Sequence, residues 1–549
     1  MTAKGWFSSW PESRVMAGFC TIVVSCLLIL VLFDMNSSTR FVLPCEDCKQ
    51  LWSSPTSPEA IARSSLDEHV RHVVTEIMAN LSSSFLKPSG ANPQSASSVL
   101  QPEVEVGVVG EWQLPAVTND RPHEKLDHPE TYGQARRFKP IGSGAFLFVQ
   151  FGAYRGGPNT FAVVGLGTKG LHKHGNASFE CSYVSNSDNC TTVDGVATKY
   201  ISDWGYGRQY TVVVVNCTFE VDVGVDGSGG RLEVVANHGS SDHTGLPDVR
   251  FVALTEEPNT YDGSVFSPPY RYDYLYCGSP IYGTISPQRM REWIAYHVRI
   301  FGPRSHFIMY DAGGIDDDVR KVLRPWMELG YITLMNIRQE ARYDVYYFSQ
   351  FLVNSDCVFQ AKSKAKWTFF FDVDEYVYVP DYLRFEEVMV SYDKMGRKAQ
   401  QVVFKQNFMN HNHCRSGNLS SEALQRQWGF EKLVYKCTEN AKDIKGFTNR
   451  KYALQAQYAL DAGVHKAQHT LVPERTSYYD TLVYEDSRLM YYHYHSTISR
   501  RSELCEEFLN VNTTRILNAM HVLDTSMVAL ANAVREFENR TIGPQPFLV

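Results

Sequence analysis

The nine residues Trp367-Thr-Phe-Phe-Phe-Asp-Val-Asp-Glu375 read as a buried aromatic strand that delivers two carboxylates, one residue apart, at its end. Side chains at i and i+2 of an extended segment point the same way, so Asp372 and Asp374 are expected to address one cation. Oxygen donors suit Mg²⁺ or Mn²⁺. A divalent ion there would bridge a diphosphate and neutralise it as it leaves. Glu375 is placed to orient that shell.

Outward from this stretch, residues 270–549 alternate strand and helix patterns. RMREWIAYHVRIF (289–301) has helical spacing, HFIMYD reads as a strand, and Asp316-Asp317-Asp318 opens a second helix. YITLMNI follows as a strand, YDVYYFSQFLVNSDCVFQAK as a helix and KWTFFFDVDEYVYV as a strand. That order predicts an α/β fold with a mostly parallel sheet. Ligands of such sheets bind beyond the carboxyl ends of the strands, where Asp372 and Asp374 stand. The acidic triplet at 316–318 merely complements a helix dipole. A third metal ligand is expected from Tyr491-Tyr-His-Tyr-His495, whose His493 and His495 share one side of an extended segment; imidazole favours Mn²⁺ over Mg²⁺. His411-x-His413-Cys414 looks like a zinc cluster, but Cys414 is expected in a disulfide.

Upstream, residues 101–265 read as all-β: short runs rich in Val, Phe and Tyr alternate with Gly, Asn and Asp turns, as in a β-sandwich. This region is either a spacer or a carbohydrate-binding module, with Trp112, Trp204 and Tyr206 as platform aromatics. Gly165-Leu-Gly167-Thr-Lys-Gly170 matches a dinucleotide fingerprint, but no helix pattern follows it, so a β-turn is expected. Residues 34–100 are Ser-, Pro- and Asn-rich and read as a stem. Val15–Phe33 is 19 residues without charge, the length of a membrane anchor. Lys4 and Arg14 keep the tail at residues 1–14 cytoplasmic, which puts the rest in a lumen. There the ten remaining cysteines default to disulfides, and eight Asn-x-Ser/Thr sequons fit the secretory pathway. Outside the stem the lumenal cysteines divide as three in the β region and five beyond it. Those odd counts permit an interdomain bridge, free thiols, or an intermolecular bridge that would make a homodimer. The net charge of −7 gives no footing for a nucleic-acid partner.

The tracts EWIAYHVRIFGPRSHFIMYDAGGIDDDVRKVL, DCVFQAKSKAKWTFFFDVDEYVYVP, KYALQAQYALDAGVHKA and YYHYHS together resemble glycosyltransferase family 92, and within it the plant galactan synthases. The likeness spans about residues 270–510, roughly half the chain. It implies a GT-A catalytic domain over 270–549, preceded by a carbohydrate-binding module. It also implies a UDP-galactose donor, Mn²⁺, and residence in the Golgi membrane as a single-pass type II protein. By position, Asp372 and Asp374 match the family's metal–diphosphate motif, and His493 its following histidine. The segment here reads H-Y-H, which leaves His493 and His495 both open. Lys451 and His465 match a segment that would touch the diphosphate, and Tyr310-Asp311 ends a strand where the nucleotide would lie.

The implied reaction is an inverting transfer of galactose to the non-reducing end of β-1,4-galactan, the side chain of pectic rhamnogalacturonan I. Inversion needs a carboxylate base at the acceptor hydroxyl. Glu431, in Trp428-Gly-Phe-Glu431-Lys432, is one candidate, with Trp428 covering a sugar; Asp461, near His465, is the other. The competing readings are a same-fold transferase with another sugar or acceptor, a metal-independent glycoside hydrolase, and a non-catalytic polysaccharide-binding membrane protein.

Overall fold

A computed structural model describes residues 135–547, apart from 143–146, 169–176, 188–190, 204–209, 238–247, 344–345, 381–382, 417–425, 439–449, 472–482, 503 and 517–518. The anchor expected at 15–33, the stem expected at 34–100, Trp112, Trp204 and Tyr206 lie outside the described residues. Among the described residues no helix is long and apolar enough to cross a membrane.

The first eight strands are β1 (Lys139–Ile141), β2 (Phe148–Arg155), β3 (Thr160–Thr168), β4 (Ser178–Ser185), β5 (Thr192–Ile201), β6 (Tyr210–Thr218), β7 (Gly230–Asn237) and β8 (Val249–Glu256). They pair antiparallel in the order β1-β2-β3-β6-β5-β4-β7-β8. Strand periodicity sends Val213 and Val215 into the region's own core with Phe148, Phe161, Leu232 and Val234. The Cys181–Cys217 disulfide ties β4 to β6 inside that core. Gly165 lies within β3, where a Cβ would strike the Val149 carbonyl and the Phe148 ring. It is there for close strand packing, and Gly165 and Gly167 both lie inside β3 rather than in a nucleotide loop; Gly170 lies outside the described residues.

The second region contains β9 (Tyr272–Cys277), α1 (Pro287–Phe301), β10 (Ser305–Asp311), α2 (Asp317–Glu328), β11 (Ile332–Asn336), α3 (Gln350–Ala361), β12 (Ala365–Phe370), β13 (Glu375–Tyr378) and α4 (Phe385–Met395). It continues with β14 (Gln401–Phe408), β15 (His413–Arg415), α5 (Gly429–Lys432), β16 (Tyr435–Cys437), β17 (Arg450–Leu454) and β18 (Val483–His493). Three short strands follow, β19 (Glu507–Leu509), β20 (Thr513–Ile516) and β21 (Ala519–Leu523), and then α6 (Ser526–Ile542). Helix α1 is set by its ends: the Ser286 hydroxyl accepts the Arg289 N–H, Pro287 occupies the first turn, and Gly302 at φ 77° closes it. Asp316 caps α2 through the Val319 N–H, the structural role expected of the acidic triplet.

The main sheet runs β11-β10-β9-β12-β17-β14-β18-β13. Strands β11, β10, β9 and β12 are parallel. Beyond β12 the sheet turns antiparallel at β17, β14 and β13. The expected mostly parallel sheet is therefore mixed. The Asp-Val-Asp-Glu segment also departs from expectation, since it does not extend the strand. The Glu375 N–H donates to the Asp372 carbonyl at 3.1 Å, closing a turn between β12 and β13.

Both faces of this sheet are covered, which is why its strands lack polar alternation. Trp367, Phe369 and Phe371 pack among α1, α2, α4 and α6. Phe370, Leu275, Ile308 and Tyr310 face α3, in one core that also holds Val149, Phe151, Val164, Val212 and Val214 of the first region. The run Val212–Val215 is thus apolar on both faces because one face closes its own sheet and the other closes the second domain. The Cys277–Cys357 disulfide fixes β9 to α3, and Cys414–Cys505 joins the β15 and β19 segments. Cys414 is a disulfide cysteine, as its setting implied. At the junction, the fully buried Asp356 accepts the hydroxyls of Tyr154 and Tyr310 and the Gln360 amide, with the Arg136 guanidinium 3.5 Å away. Stripping one partner from a buried charge cluster of this kind costs several kcal/mol.

Asp356→Ala is expected to lower unfolding free energy by about 3 kcal/mol in chemical denaturation; a loss under about 1 kcal/mol would mean the junction is dispensable. His297, buried between the Trp293 carbonyl and the Val377 N–H, is pushed down by burial to about 3. It stays neutral in the fold while the unfolded chain protonates near pH 6.5, so stability should fall by about 1.4 kcal/mol per unit as pH drops between those values. His297→Gln should remove one proton from that slope in denaturation curves taken from pH 6 to pH 4.

Candidate active site

The turn after β12 gathers side chains from five segments. Lys451 Nζ, on the antiparallel neighbour β17, donates to Asp372 Oδ2 at 2.8 Å and lies 3.5 Å from Glu375 Oε2. Gln350 Nε2, at the start of α3, donates to Asp372 Oδ1 at 3.0 Å. Ser279, in the loop after β9, helps hold the same carboxylate in its ionised form. Gly278 is required there, since a Cβ would collide with the Tyr276 hydroxyl. Glu375 is buried and folds back to accept the Asp372 N–H at 2.7 Å, the orienting role expected of it.

Asp374 looks the other way. Its carbonyl accepts the Tyr494 N–H at 2.9 Å and its Oδ2 the Ser496 N–H at 3.1 Å. His493 stands opposite Glu375 in the β13–β18 ladder, and its Nε2 is 3.6 Å from Asp374 Oδ1. Gln406 on β14 meets His493 Nδ1 at 3.0 Å and takes the Tyr491 hydroxyl on its Oε1, so it sets the imidazole's orientation. His495 instead bonds the Ser496 hydroxyl through Nδ1, at 2.9 Å.

The electrostatics follow from this crowding. Burial pushes the Glu375 carboxyl up, to about 7, against the pull of Lys451. Burial also works against ionised Asp372, but Lys451 and then His493 outweigh it and hold that carboxyl below its usual range. For His493, burial lowers the pKa, yet Asp374, Glu375 and Asp372 together raise it.

Among the described residues no three His, Cys, Asp or Glu side chains converge as a ready metal site. The turn, rather than a straight strand, is the reason: it aims Asp372 at Lys451 and Asp374 at His493. The donor chemistry still suits a small divalent ion at Asp374 and His493. Their 3.6 Å gap exceeds a hydrogen bond. Two ligands roughly 2.1 Å from one such ion stand about 3–4 Å apart.

Asp372, Asp374, Lys451, His493 and His495 therefore come together, and His465 lies beside them, its Nδ1 3.0 Å from the Arg450 carbonyl. Four expectations need correction. Glu431 is bound by both guanidinium nitrogens of Arg535 and by the Trp428 N–H, in a buried cap where α5 meets α6. Trp428 is itself buried and offers no face to a sugar. Asp461 is fully buried and spends its oxygens on the Gln468 and His469 N–H groups and the His469 ring. Tyr310 is buried with its hydroxyl on Asp356, and buried Asp311 holds Arg338 and the Gly313 N–H. Neither carboxylate is free to take an acceptor proton, and Tyr310 cannot meet a nucleotide. Gln350, Gln406 and Ser279 escaped sequence reading; the trace left by Gln406 is a polar residue inside the apolar strand QVVFKQNF.

Comparison with known proteins adds kinship to this geometry. The model for Glycosyltransferase family 92 matches residues 272–528. The chain is 43% identical over 426 residues to galactan beta-1,4-galactosyltransferase GALS1 of Arabidopsis thaliana, covering 76% of this chain and 81% of that protein. It is 43% identical to GALS2 over 420 residues, covering 74% and 76%, and 42% identical to GALS3 over 434 residues, covering 77% and 81%. Both are likewise galactan beta-1,4-galactosyltransferases of Arabidopsis thaliana.

Lys451→Met strands the buried Glu375 and the partly exposed Asp372 and should cost about 2 kcal/mol of stability. Adding Asp372→Asn should recover part of that loss in a double-mutant cycle. Independent, additive losses would show that the pair does not act as a unit.

Proposed function

The chain belongs to glycosyltransferase family 92, and from that premise we propose that it transfers galactose from UDP-galactose to the non-reducing end of β-1,4-galactan with inversion. The observation that carries this is the match of over two fifths identity to three galactan beta-1,4-galactosyltransferases across most of their length. The acidic turn supports it locally. It lies at the carboxyl end of β12, where open α/β sheets bind ligands, and it brings carboxylates, an imidazole and an ammonium within reach of one diphosphate.

In this reading the domain is of GT-A type, and Asp374 and His493 hold Mn²⁺ or Mg²⁺. The ion, when bound, supplies Lewis-acid neutralisation of the leaving diphosphate. Lys451 adds a buried positive charge on the same side and keeps the turn from flying apart through its two carboxylates. Gln406 keeps His493 aimed at Asp374. The β region is a carbohydrate-binding-like sandwich built onto the catalytic domain; the shared core supports a fixed rather than a tethered arrangement. The sequence supports a Golgi type II anchor at 15–33.

The test uses the full-length chain purified in detergent, with UDP-galactose and β-1,4-galactan oligosaccharides. Galactan elongation is expected, lost with EDTA and restored by Mn²⁺. Asp374→Ala should lower the rate at least about 100-fold while circular dichroism stays unchanged. Wild-type rates in that variant would remove the metal assignment, and transfer of a different sugar would remove the donor.

A further inference from the structure

Tyr282 and Phe348 are large aromatic side chains left exposed, at 40% and 51%. Their rings stack on each other, centroids 3.8 Å apart and planes 16° apart. Their places in the chain connect them to the acidic turn. Tyr282 follows Ser279 in the loop leaving β9, and Phe348 precedes Gln350 at the start of α3; Gln350 donates to Asp372, whose ionised form Ser279 also favours.

The strand order locates the pair further. Read along the parallel half, β11-β10-β9 proceeds outward on one side of β9, while the next parallel strand, β12, is added on the other. β9 and β12 thus flank the point where the winding reverses, and the crevice outside their carboxyl ends is where such sheets hold nucleotides. Tyr282 leaves one of those strands, and Phe348 leads into the helix that feeds the other.

Both rings have firm footing. The Ile281 N–H donates to the Tyr310 carbonyl at 2.7 Å, and its own carbonyl takes the Ala312 and Gly314 N–H groups. Helix α3 is locked by Cys277–Cys357 and by Asn354 donating to the Gly463 carbonyl. Phe348 and Ser349 have φ of 54° and 69°, two consecutive non-glycine residues in left-handed geometry. Strain of that kind gathers at ligand clamps. Ser349 Oγ and Gln350 Oε1, on residues each 2% exposed, are buried without hydrogen-bond partners. A segment shaped only for folding would have satisfied them.

We propose that Tyr282 and Phe348 are the stacking platform for the pyrimidine base of the nucleotide-sugar donor, with Gln350 and Ser279 linking that platform to the diphosphate end of the site. This rests on the glycosyltransferase reading above. It moves the nucleotide from the buried Tyr310 to the exposed pair. Base–aromatic stacking tolerates any planar ring, so the pair would supply affinity and leave discrimination between bases to hydrogen bonds.

The experiment measures UDP and inorganic diphosphate binding by calorimetry on the full-length chain in detergent with Mn²⁺, together with donor and galactan KM. Tyr282→Ala and Phe348→Ala should each weaken UDP about 5- to 100-fold, the span of one lost base–aromatic stack. Diphosphate affinity and galactan KM should hold, and Tyr282→Phe should keep near-wild-type UDP affinity. A rise in galactan KM with UDP binding intact would overturn the proposal and make the pair an acceptor-sugar platform. Unchanged UDP affinity in both alanine variants would also overturn it while leaving the transferase reading standing. Wild-type protein that binds UDP and fails to extend galactan would sink the acceptor assignment and not the platform. Wild-type protein that ignores UDP sinks both.

Discussion

Buried Glu375 and the partly exposed Asp372 stand within four residues of one another and need a counter-charge, which Lys451 provides at 2.8 and 3.5 Å. Much of the local architecture serves that contact. β17 must run antiparallel beside β12 to bring Lys451 alongside the turn, and its register fixes Tyr452 opposite Phe370. α3 must begin where it does for Gln350 to reach the second oxygen of Asp372. The loop after β9 passes tightly over Tyr276 and carries Ser279 toward the same carboxylate. One compensated charge pair thus couples the parallel half of the sheet to its antiparallel half, and it leaves Asp374 turned outward toward His493, the pair suited to a cation.

Helix α3 is the other shared part. One side lies on the catalytic sheet, and the apolar outer face of the β region covers it from above. Asp356 in its middle ties three tyrosine and arginine side chains from both regions. A flexibly tethered binding module would present a polar surface to its neighbour; here the contact is continuous core. The β region therefore helps hold the helix whose first turn touches the acidic site. Any effect of its removal on activity would mix lost folding with lost binding.

Local pattern made much of the fold legible. Long apolar runs, the acidic helix start at Asp316 and the spacing of 289–301 marked elements that the structure contains. Strands β4 and β5 are the hardest to read from sequence, because SFECSYVS and TVDGVATKYI carry polar residues and flank a sequon rather than a hydrophobic run. The straight-strand expectation at 372–375 failed for a different reason. Nothing in Asp-Val-Asp-Glu forbids extension; the turn is imposed by Glu375 reaching back to the Asp372 N–H and by β13 pairing with β18. Glu431 and Asp461 had the right chemistry and suggestive neighbours, but their partners Arg535 and His469 are set by packing that spacing does not reveal.

By itself the sequence determined the residue types of the site and its kinship: an acidic motif after an aromatic strand, a lysine and a histidine pair downstream, and tracts in a family's order. These are properties of local composition and of inheritance. Only the tertiary structure decided which of those groups meet, because that depends on strand order and side-chain direction. It paired Asp372 with Lys451, turned Asp374 to His493, buried Tyr310 and Glu431 in structural contacts, and left Tyr282 and Phe348 stacked in the open at the sheet's switch point.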